Sequence, residues 1–305
     1  VWPRHTGDFS LFRIYADKNN RPATYSKDNV PYTPKHFLPI SLDGVKEDDF
    51  TMVFGYPGKT NEYLPSVAIA QIANELNPAK IEIRDKALKV ADGFMRKDPA
   101  IKIQYASKYA STANSWKKWI GETQGIKKSD AIAIKKTQEK AFQEKVLKAG
   151  KQAEYGNLLS DFEKNYSEIS SYALAKDYFT EVVQRNTELL SLGFKLYQLE
   201  QVYNSKGEQS FTDRKNNLIS ELSDFYKDFN PNVDQKVFEQ LIQLYATKVP
   251  KEFLPAQLSN INASNLAAEI YGQSKLVSYS SLKELLNGDS KVVIANLNAD
   301  KGYQL

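Results

Sequence analysis

The sequence predicts a mainly α fold in which a helical-bundle domain follows short β segments. The composition changes near residue 60. Before that point Pro and Gly recur every few residues and the apolar runs are short, which is typical of β structure with long connections. From residue 64 to residue 203 the prolines stand only at positions 65, 78 and 99, where each can begin a helix. We therefore predict two domains, residues 1–62 and residues 63–305.

Two β segments are predicted in the first domain. Residues 11–15 belong to a run that alternates like a strand, because Phe9 and Leu11 face one way and Ser10 and Phe12 the other. Residues 50–58 contain a run of β-forming residues that Gly-Tyr-Pro-Gly ends. Each segment is too short to form a domain without further strands.

Helices are predicted over most of the second domain, at residues 65–76, 79–97, 99–122, 128–149, 153–170, 172–204, 209–228, 232–248 and 279–287. The pairs Asn77-Pro78 and Asp98-Pro99 have the residue types of a helix cap followed by the first turn. The clearest apolar stripe at helical spacing runs from residue 179 to residue 197. The tail after residue 249 contains two prolines, many Asn and Ser, and short apolar pieces such as residues 291–295, and we expect it to lead back to β structure.

The composition excludes several classes of protein. The 41 basic and 37 acidic residues give a formal net charge of +4, too balanced to indicate nucleic acid or an anionic membrane as a partner. Without cysteine the chain can form no disulfide and no Cys-ligated zinc site, and two histidines do not make a histidine-rich metal site. No apolar run approaches the ~20 residues of a membrane span. The sequence therefore implies neither a metal nor a cofactor.

Asp8 is the first candidate site residue. It follows a Gly turn and opens the alternating run, which is how trypsin-like serine proteases present the aspartate of their catalytic triad. The alternative is an ordinary turn aspartate at the start of a strand. His5 lies three residues away and faces the other side of an extended chain, so it is a poor partner. No Gly-x-Ser-x-Gly motif marks a serine nucleophile, and the chain alone is catalytically incomplete.

Asn114 is the second candidate. It lies in a predicted helix whose other side carries an aromatic packing stripe. The stripe consists of Thr112, Trp116, Trp119, Ile120 and Thr123. Asn114 is roughly 200° around the helix from its neighbours in the stripe, so its side chain faces away from it. A carboxamide donates and accepts hydrogen bonds at once, which suits a peptide amine or backbone, although a surface asparagine is the alternative.

Four segments together resemble a known enzyme family. They are residues 2–10, residues 50–58, residues 61–66 and the pattern Asn114-x-Trp116-Lys117-x-x-Ile120-Gly121. In this order they closely resemble the bacterial dipeptidyl peptidases that include dipeptidyl aminopeptidase BII and the Asp/Glu-specific enzymes of Bacteroidetes. Members of that family are chymotrypsin-like double β-barrels with a large helical domain inserted into the second barrel.

The resemblance implies a role for each domain. Residues 1–62 would supply the end of the first barrel and the start of the second, and residues 63–305 the helical lid, incomplete at its C-terminal end. Asp8 would be the triad aspartate, and Asn114 would hold the free amino end of an oligopeptide substrate. The family's triad histidine would precede Val1 and its serine would follow Leu305, so we expect an internal segment that is inactive alone.

The resemblance also implies a homodimeric parent protein in the periplasm or at the cell surface. A rival hypothesis needs no chemistry: a helical-bundle binding protein with a β-rich leader, in which Asp8 is a turn residue. A histidine on a strand before this segment and a serine elbow after it would separate the two.

Overall fold

The computed structural model describes residues 12–52, 61 and 63–305. The chain divides into two compact units, Val1–Glu62 and Tyr63–Leu305. Each unit is described by itself below.

The described part of the first unit contains one short antiparallel ladder. Strand β1 (Tyr15–Ala16) pairs with strand β2 (Val30–Pro31). The loop between them is closed by the side chain of Asn20, which donates to the carbonyl of Thr33 at 2.8 Å and accepts from its N–H at 2.8 Å. The strand predicted over residues 11–15 therefore begins only at Tyr15. Residues 51 and 52 are not in a strand, and residues 53–58 of the second predicted segment lie outside the described part.

Apolar side chains of the first unit are mostly exposed. Among residues 12–52, Ala16 alone is a buried hydrophobic residue, at 2% exposure. The exposed large hydrophobic side chains are Phe12, Ile14, Tyr15, Tyr25, Val30, Tyr32, Phe37, Leu38, Ile40, Leu42, Val45, Phe50 and Met52. The described residues of this unit thus have no hydrophobic core of their own.

The second unit is helical, which confirms the mainly α prediction. Its α-helices are α1 (Ser66–Gln71), α2 (Asn77–Met95), α3 (Pro99–Lys128), α4 (Ala131–Lys148), α5 (Gln152–Tyr155), α6 (Leu158–Glu168), α7 (Ser170–Phe179), α8 (Glu188–Lys227), α9 (Pro231–Lys248), α10 (Ala263–Gln273), α11 (Tyr279–Leu285), α12 (Ser290–Asn298) and α13 (Lys301–Gln304). Short 3-10 turns at residues 251–253, 256–258 and 275–277 connect the later helices. None of the helices in the described ranges has the length and apolarity that crossing a bilayer requires.

The Asn77-Pro78 pair stands at the first residues of α2, but Asn77 caps no free helix end, so the predicted cap is wrong. Helix α1 continues through a π-helical segment, Ile72–Leu76, directly into α2. The backbone N–H of Asn77 donates to the carbonyl of Ile72, five residues back. Proline lacks an N–H and its ring clashes inside a regular α-helix. We infer that the wider π turn just before Pro78 makes room for the ring and lets the helix continue.

The Asp98-Pro99 pair begins α3 as predicted. The Asp98 side chain accepts a hydrogen bond from the N–H of Ala100 at 2.7 Å, and Pro99 occupies the first helical position. This caps a helix of 30 residues, six residues longer at its end than the predicted segment 99–122. Helix α3 carries Asn114, the second predicted site residue.

The long helix predicted over residues 172–204 is interrupted. Helix α7 passes into a second π-helical segment, Thr180–Asn186, and Thr187 is extended, with φ −111° and ψ 111°. Helix α8 starts at the next residue. Gly207, with φ 79°, bends α8 between the two segments predicted at 172–204 and 209–228. A positive φ of this size favours glycine because it has no Cβ.

Residues 291–295 are helical rather than a connection to β structure, so that expectation is wrong. They lie in α12, where Asp289 caps the N-terminus from the preceding residue. Glu208 of α8 adds a second carboxylate, which accepts from the N–H of Ser290 at 3.2 Å. Two carboxylates therefore accept from N–H groups of the first turn. They favour a helix for this apolar run, which could otherwise form a strand.

Candidate functional site

A groove runs through the second unit between helices α2, α3 and α8 and the π-helical segment 180–186. Its volume is about 790 Å³. We call it the central groove. Helix α3 lines one wall with the hydroxyl groups of Ser107, Ser111 and Ser115, which recur one turn apart. The floor is apolar and includes Leu88 and Leu192.

A buried ion pair lines the central groove. The Nε of Arg84 donates to Oε2 of Glu181 at 2.6 Å, and its Nη2 donates to Oε1 at 3.1 Å. The two residues are 8% and 5% exposed. Nη1 of Arg84 donates to the carbonyl of Thr112 at 3.0 Å, the guanidinium lies 4.7 Å from the ring centre of Trp119, and Asn186 donates to Glu181 Oε2 at 3.1 Å. These contacts join α2, α3 and the π-helical segment.

A second polar cluster also lines the groove and ties α3 to the start of α8. The hydroxyl of Tyr105 donates to Oε1 of Glu188 at 2.6 Å, and Nζ of Lys108 donates to Oε2 at 2.5 Å. Lys108 also donates to the carbonyl of Asp228. Burial, and then the charge of Glu188, raise the pKa of Tyr105 well above its ordinary value. Tyr105 therefore acts as a hydrogen-bond donor across the ordinary pH range.

Asp234 of α9 lies behind this cluster, only 1% exposed. Its carboxylate accepts from the N–H of Glu188 at 2.7 Å, the N–H of Leu189 at 2.9 Å and the hydroxyl of Tyr271 at 2.5 Å. Asp234 therefore caps α8 from another helix, at the point where the predicted long helix is interrupted. Burial, followed by the charge of Glu188, raises the pKa of Asp234 to about 7, although the hydrogen bonds it accepts oppose that shift.

This raised pKa predicts a pH-dependent stability. An unfolded aspartate titrates near ~4, so between that pH and about 7 the folded state holds more protons than the unfolded state. Stability from Asp234 is therefore lost as the pH rises through this window. We expect the difference in unfolding free energy between the wild type and Asp234→Asn, which cannot titrate, to shrink from pH 4 to pH 7. Urea unfolding at several pH values measures it, and a difference that does not change with pH would contradict the assignment.

Comparison with known proteins decides the family. The Peptidase S46 family profile matches residues 1–305. The chain belongs to the Peptidase S46 family. It is 70% identical over 303 residues to the Asp/Glu-specific dipeptidyl-peptidase of Flavobacterium psychrophilum, a match that covers 99% of the chain and 42% of that relative. It is 39% identical over 262 residues to dipeptidyl-peptidase 7 of Porphyromonas gingivalis, covering 86% of the chain and 35% of that relative.

A solved structure shares the fold of this S46 chain. Porphyromonas endodontalis DPP11 in complex with the dipeptide Arg-Asp superposes with a TM-score of 0.71 at 28% sequence identity. The superposition covers 100% of the chain and 45% of that structure. The S46 chain thus spans less than half the length of the curated relatives and of the solved structure that it matches.

The two predicted site residues of the S46 chain have different outcomes. Asn114 lies on α3, and its exposed side chain makes no hydrogen bond to another described residue. It is not among the residues that line the central groove. Asp8 and His5 lie outside the described residues, so the roles of Asp8 and Asn114 stay predictions. His36 is exposed in a loop.

The side of α3 that was predicted to pack is partly buried. Its members are Thr112, Trp116, Trp119, Ile120 and Thr123, all of intermediate exposure. The Nζ of Lys80 lies 4.8 Å from the ring centre of Trp119, in a cation–π contact. The Nε1 of Trp116 is buried and has no hydrogen-bond partner among the described residues. The stripe therefore contributes polar contacts as well as packing.

Sequence reasoning missed the buried charges. We identified neither Asp234 nor Glu181 from the sequence, although both are buried in hydrogen-bonded networks. The same holds for Glu139, whose carboxylate accepts from the N–H and hydroxyl of Ser66 at 2.6 and 2.7 Å. A signal was present, because Arg84 shares the helical spacing of buried residues three, four and seven positions later.

Proposed function

We propose that the protein to which this chain belongs is a serine-type dipeptidyl peptidase that releases dipeptides from the free N-terminus of oligopeptides. The observation that carries the proposal is the 70% identity to an Asp/Glu-specific dipeptidyl-peptidase over 99% of the chain. The Asp/Glu-specific dipeptidyl-peptidase of Capnocytophaga gingivalis is 57% identical over the whole chain. Both matches favour cleavage after an acidic second residue. They do not favour the rival binding-protein hypothesis.

In the proposed mechanism a serine attacks the carbonyl carbon of the second peptide bond. A histidine accepts the serine proton and later donates it to the leaving amine. Asp8 holds that imidazole in the correct tautomer and stabilises the imidazolium that forms. Histidine and serine would come from outside residues 1–305, so the segment would be inactive alone. A peptidase assay on the full protein tests the reaction, using dipeptidyl reporters with Asp, Glu or an apolar second residue.

The first unit is proposed to belong to a chymotrypsin-like double barrel. The exposed apolar side chains of residues 12–52 support this, because further strands packed on them would remove that surface from water. The ladder between β1 and β2 also presents free edges, which sheets normally pair or cover. We further propose a homodimer in the periplasm or at the cell surface, as the family resemblance implies. Light scattering of the purified protein tests the dimer.

Asn114 is proposed to bind the free amino end of the substrate. Its carboxamide is exposed and makes no hydrogen bond to the described residues, so both its donor and its acceptor are available. The carboxamide oxygen would accept a hydrogen bond from the substrate ammonium group. An N-acetylated amine has lost its charge and keeps a single neutral N–H, so that contact becomes weaker, which gives preference for a free N-terminus.

Asn114→Ala is expected to lower kcat/KM about ten- to hundredfold, because a hydrogen bond to a charged group contributes about 1.5–3 kcal/mol. The ratio of free to N-acetylated substrate cleavage should fall with it. Stability should change by less than about 1 kcal/mol, since the residue is exposed. Asn165→Ala, at another exposed helical asparagine, is the matched control. Undiminished preference for a free amine in Asn114→Ala would show that Asn114 does not bind the amino end of the substrate.

A further inference from the structure

The central groove has charged groups that the fold itself does not use. Arg84 has five N–H donors and forms three hydrogen bonds, so two N–H groups on its terminal nitrogens have no acceptor among the described residues. Arg84 is 8% exposed and lines the groove. A buried guanidinium with unused donors at a cavity favours an acceptor supplied by a ligand.

Two more cations line the same groove. Arg185, in the π-helical segment, and Lys195, on α8, are exposed and form no ion pair with any described residue. The other groove lysine, Lys108, is already paired with Glu188. The groove therefore presents hydrogen-bond donors for a carboxylate from the buried Arg84 and from the exposed Arg185 and Lys195. Planar guanidinium groups suit a carboxylate because they can donate two parallel hydrogen bonds.

An unpaired carboxylate also lines the groove. Glu221 of α8 is exposed and makes no hydrogen bond or ion pair with the described residues. The other two acids of the lining, Glu181 and Glu188, each form an ion pair with a basic side chain of the chain itself. The groups of the groove that remain available to a ligand are thus the cationic side chains of Arg84, Arg185 and Lys195. Glu221 is the one carboxylate of the lining without a partner among the described residues. A ligand complementary to them carries both a carboxylate and an ammonium group.

We propose that the central groove is a second peptide-binding site, for a short zwitterionic peptide of the size of the dipeptide product. This identification of the ligand rests on the proposed function. The free carboxylate of the peptide pairs with Arg84, Arg185 and Lys195, and its ammonium group pairs with Glu221. The serine hydroxyls of α3 donate to or accept from the peptide backbone, and the apolar floor contacts the side chains. The volume of about 790 Å³ accommodates a dipeptide with its water.

This site differs from the one proposed for the substrate's amino end. Asn114 does not line the groove, and the groove lies wholly within the second unit. A dipeptide has no second peptide bond to be cleaved, so its binding can be measured without turnover.

Titration calorimetry of the full-length protein with Ala-Ala tests the proposal. We expect saturable binding that persists in Asn114→Ala. The double variant Arg185→Gln/Lys195→Gln should weaken that binding about tenfold or more, and Glu221→Gln should weaken it while removing the penalty for N-acetylation of Ala-Ala. All three positions are exposed, so the variants should fold. Lys176→Gln, at an exposed cation that does not line the groove, should bind like the wild type.

Two results would overturn the proposal. One is equal binding by the double variant and by Lys176→Gln. The other is loss of all Ala-Ala binding in Asn114→Ala, which would place the dipeptide at the substrate's amino-end site. Peptidase activity is measured separately on reporter substrates. Absence of that activity with an intact binding pattern would refute the proposed function and leave the groove site standing.

Discussion

Asp8→Asn in the full-length protein is expected to lower turnover by roughly 10⁴-fold while leaving folding and substrate affinity nearly unchanged. The proposed carboxylate accepts from the N–H of the catalytic imidazole and fixes its tautomer. An asparagine of nearly the same shape can instead donate its own N–H, which holds the imidazole in the wrong tautomer. The chemical step is then slowed, whereas contacts to the peptide are kept. The loss should therefore appear in kcat rather than in KM.

The measurement is steady-state hydrolysis of a dipeptidyl reporter by the full-length variant. Asp28→Asn is the control, because Asp28 is an exposed aspartate of the same unit. Circular dichroism and the melting temperature should match the wild type in both variants. Turnover of Asp8→Asn within about tenfold of the wild type would make Asp8 the turn residue of the rival hypothesis, since loss of the orienting group is far costlier.

Local sequence signals were sufficient where the chain supplies its own cap. Asp98 and Pro99 predicted the start of α3, and the structure shows the predicted hydrogen bond to Ala100. Gly207 lies in the gap between two predicted helices and adopts a positive φ. Both features depend on residues within a few positions of one another. Residue type alone is not sufficient even here, because Asn77-Pro78 has the same pattern as Asp98-Pro99 and caps no helix.

The sequence was insufficient where the cap comes from a distant part of the chain. Helix α8 begins at Glu188 because Asp234, 46 residues later, accepts its N–H. Helical periodicity continues across such a point, so a pattern of apolar residues cannot mark it. Only the packing of α9 against that helix end determines the boundary.

The candidate site residues likewise divide into those that local sequence predicts and those that depend on distant packing. The spacing of α3 was enough to predict that Asn114 faces away from the aromatic stripe, and the residue is exposed. The central groove could not be predicted, because its walls come from helices far apart in sequence. The buried charge of Arg84 in its lining could have been suspected, since Arg84 occupies a position on an otherwise apolar helical face. A charge at such a position is either paired or functional.

Arg84→Met is expected to destabilise the folded protein by about 3–5 kcal/mol, the second largest effect that we predict. The substitution keeps an unbranched side chain of helix-forming type in α2 but removes the partner of Glu181. Glu181 is 5% exposed, so its carboxylate would remain buried with only Asn186 as a partner. An uncompensated buried charge is far costlier than the loss of the attraction itself. Urea unfolding followed by circular dichroism measures the change.

A second ion pair on the same helix provides the matched control. The Nε of Arg96 also lies 2.6 Å from a carboxylate, that of Asp92, but its side chain is 77% exposed. Arg96→Met should therefore change stability far less than Arg84→Met does, since water screens the pair and solvates the carboxylate left behind. The double variant Arg84→Met/Glu181→Leu should recover most of the loss, because it removes both buried charges together. Equal costs for Arg84→Met and Arg96→Met would mean that burial of the Arg84–Glu181 pair does not govern its energetics.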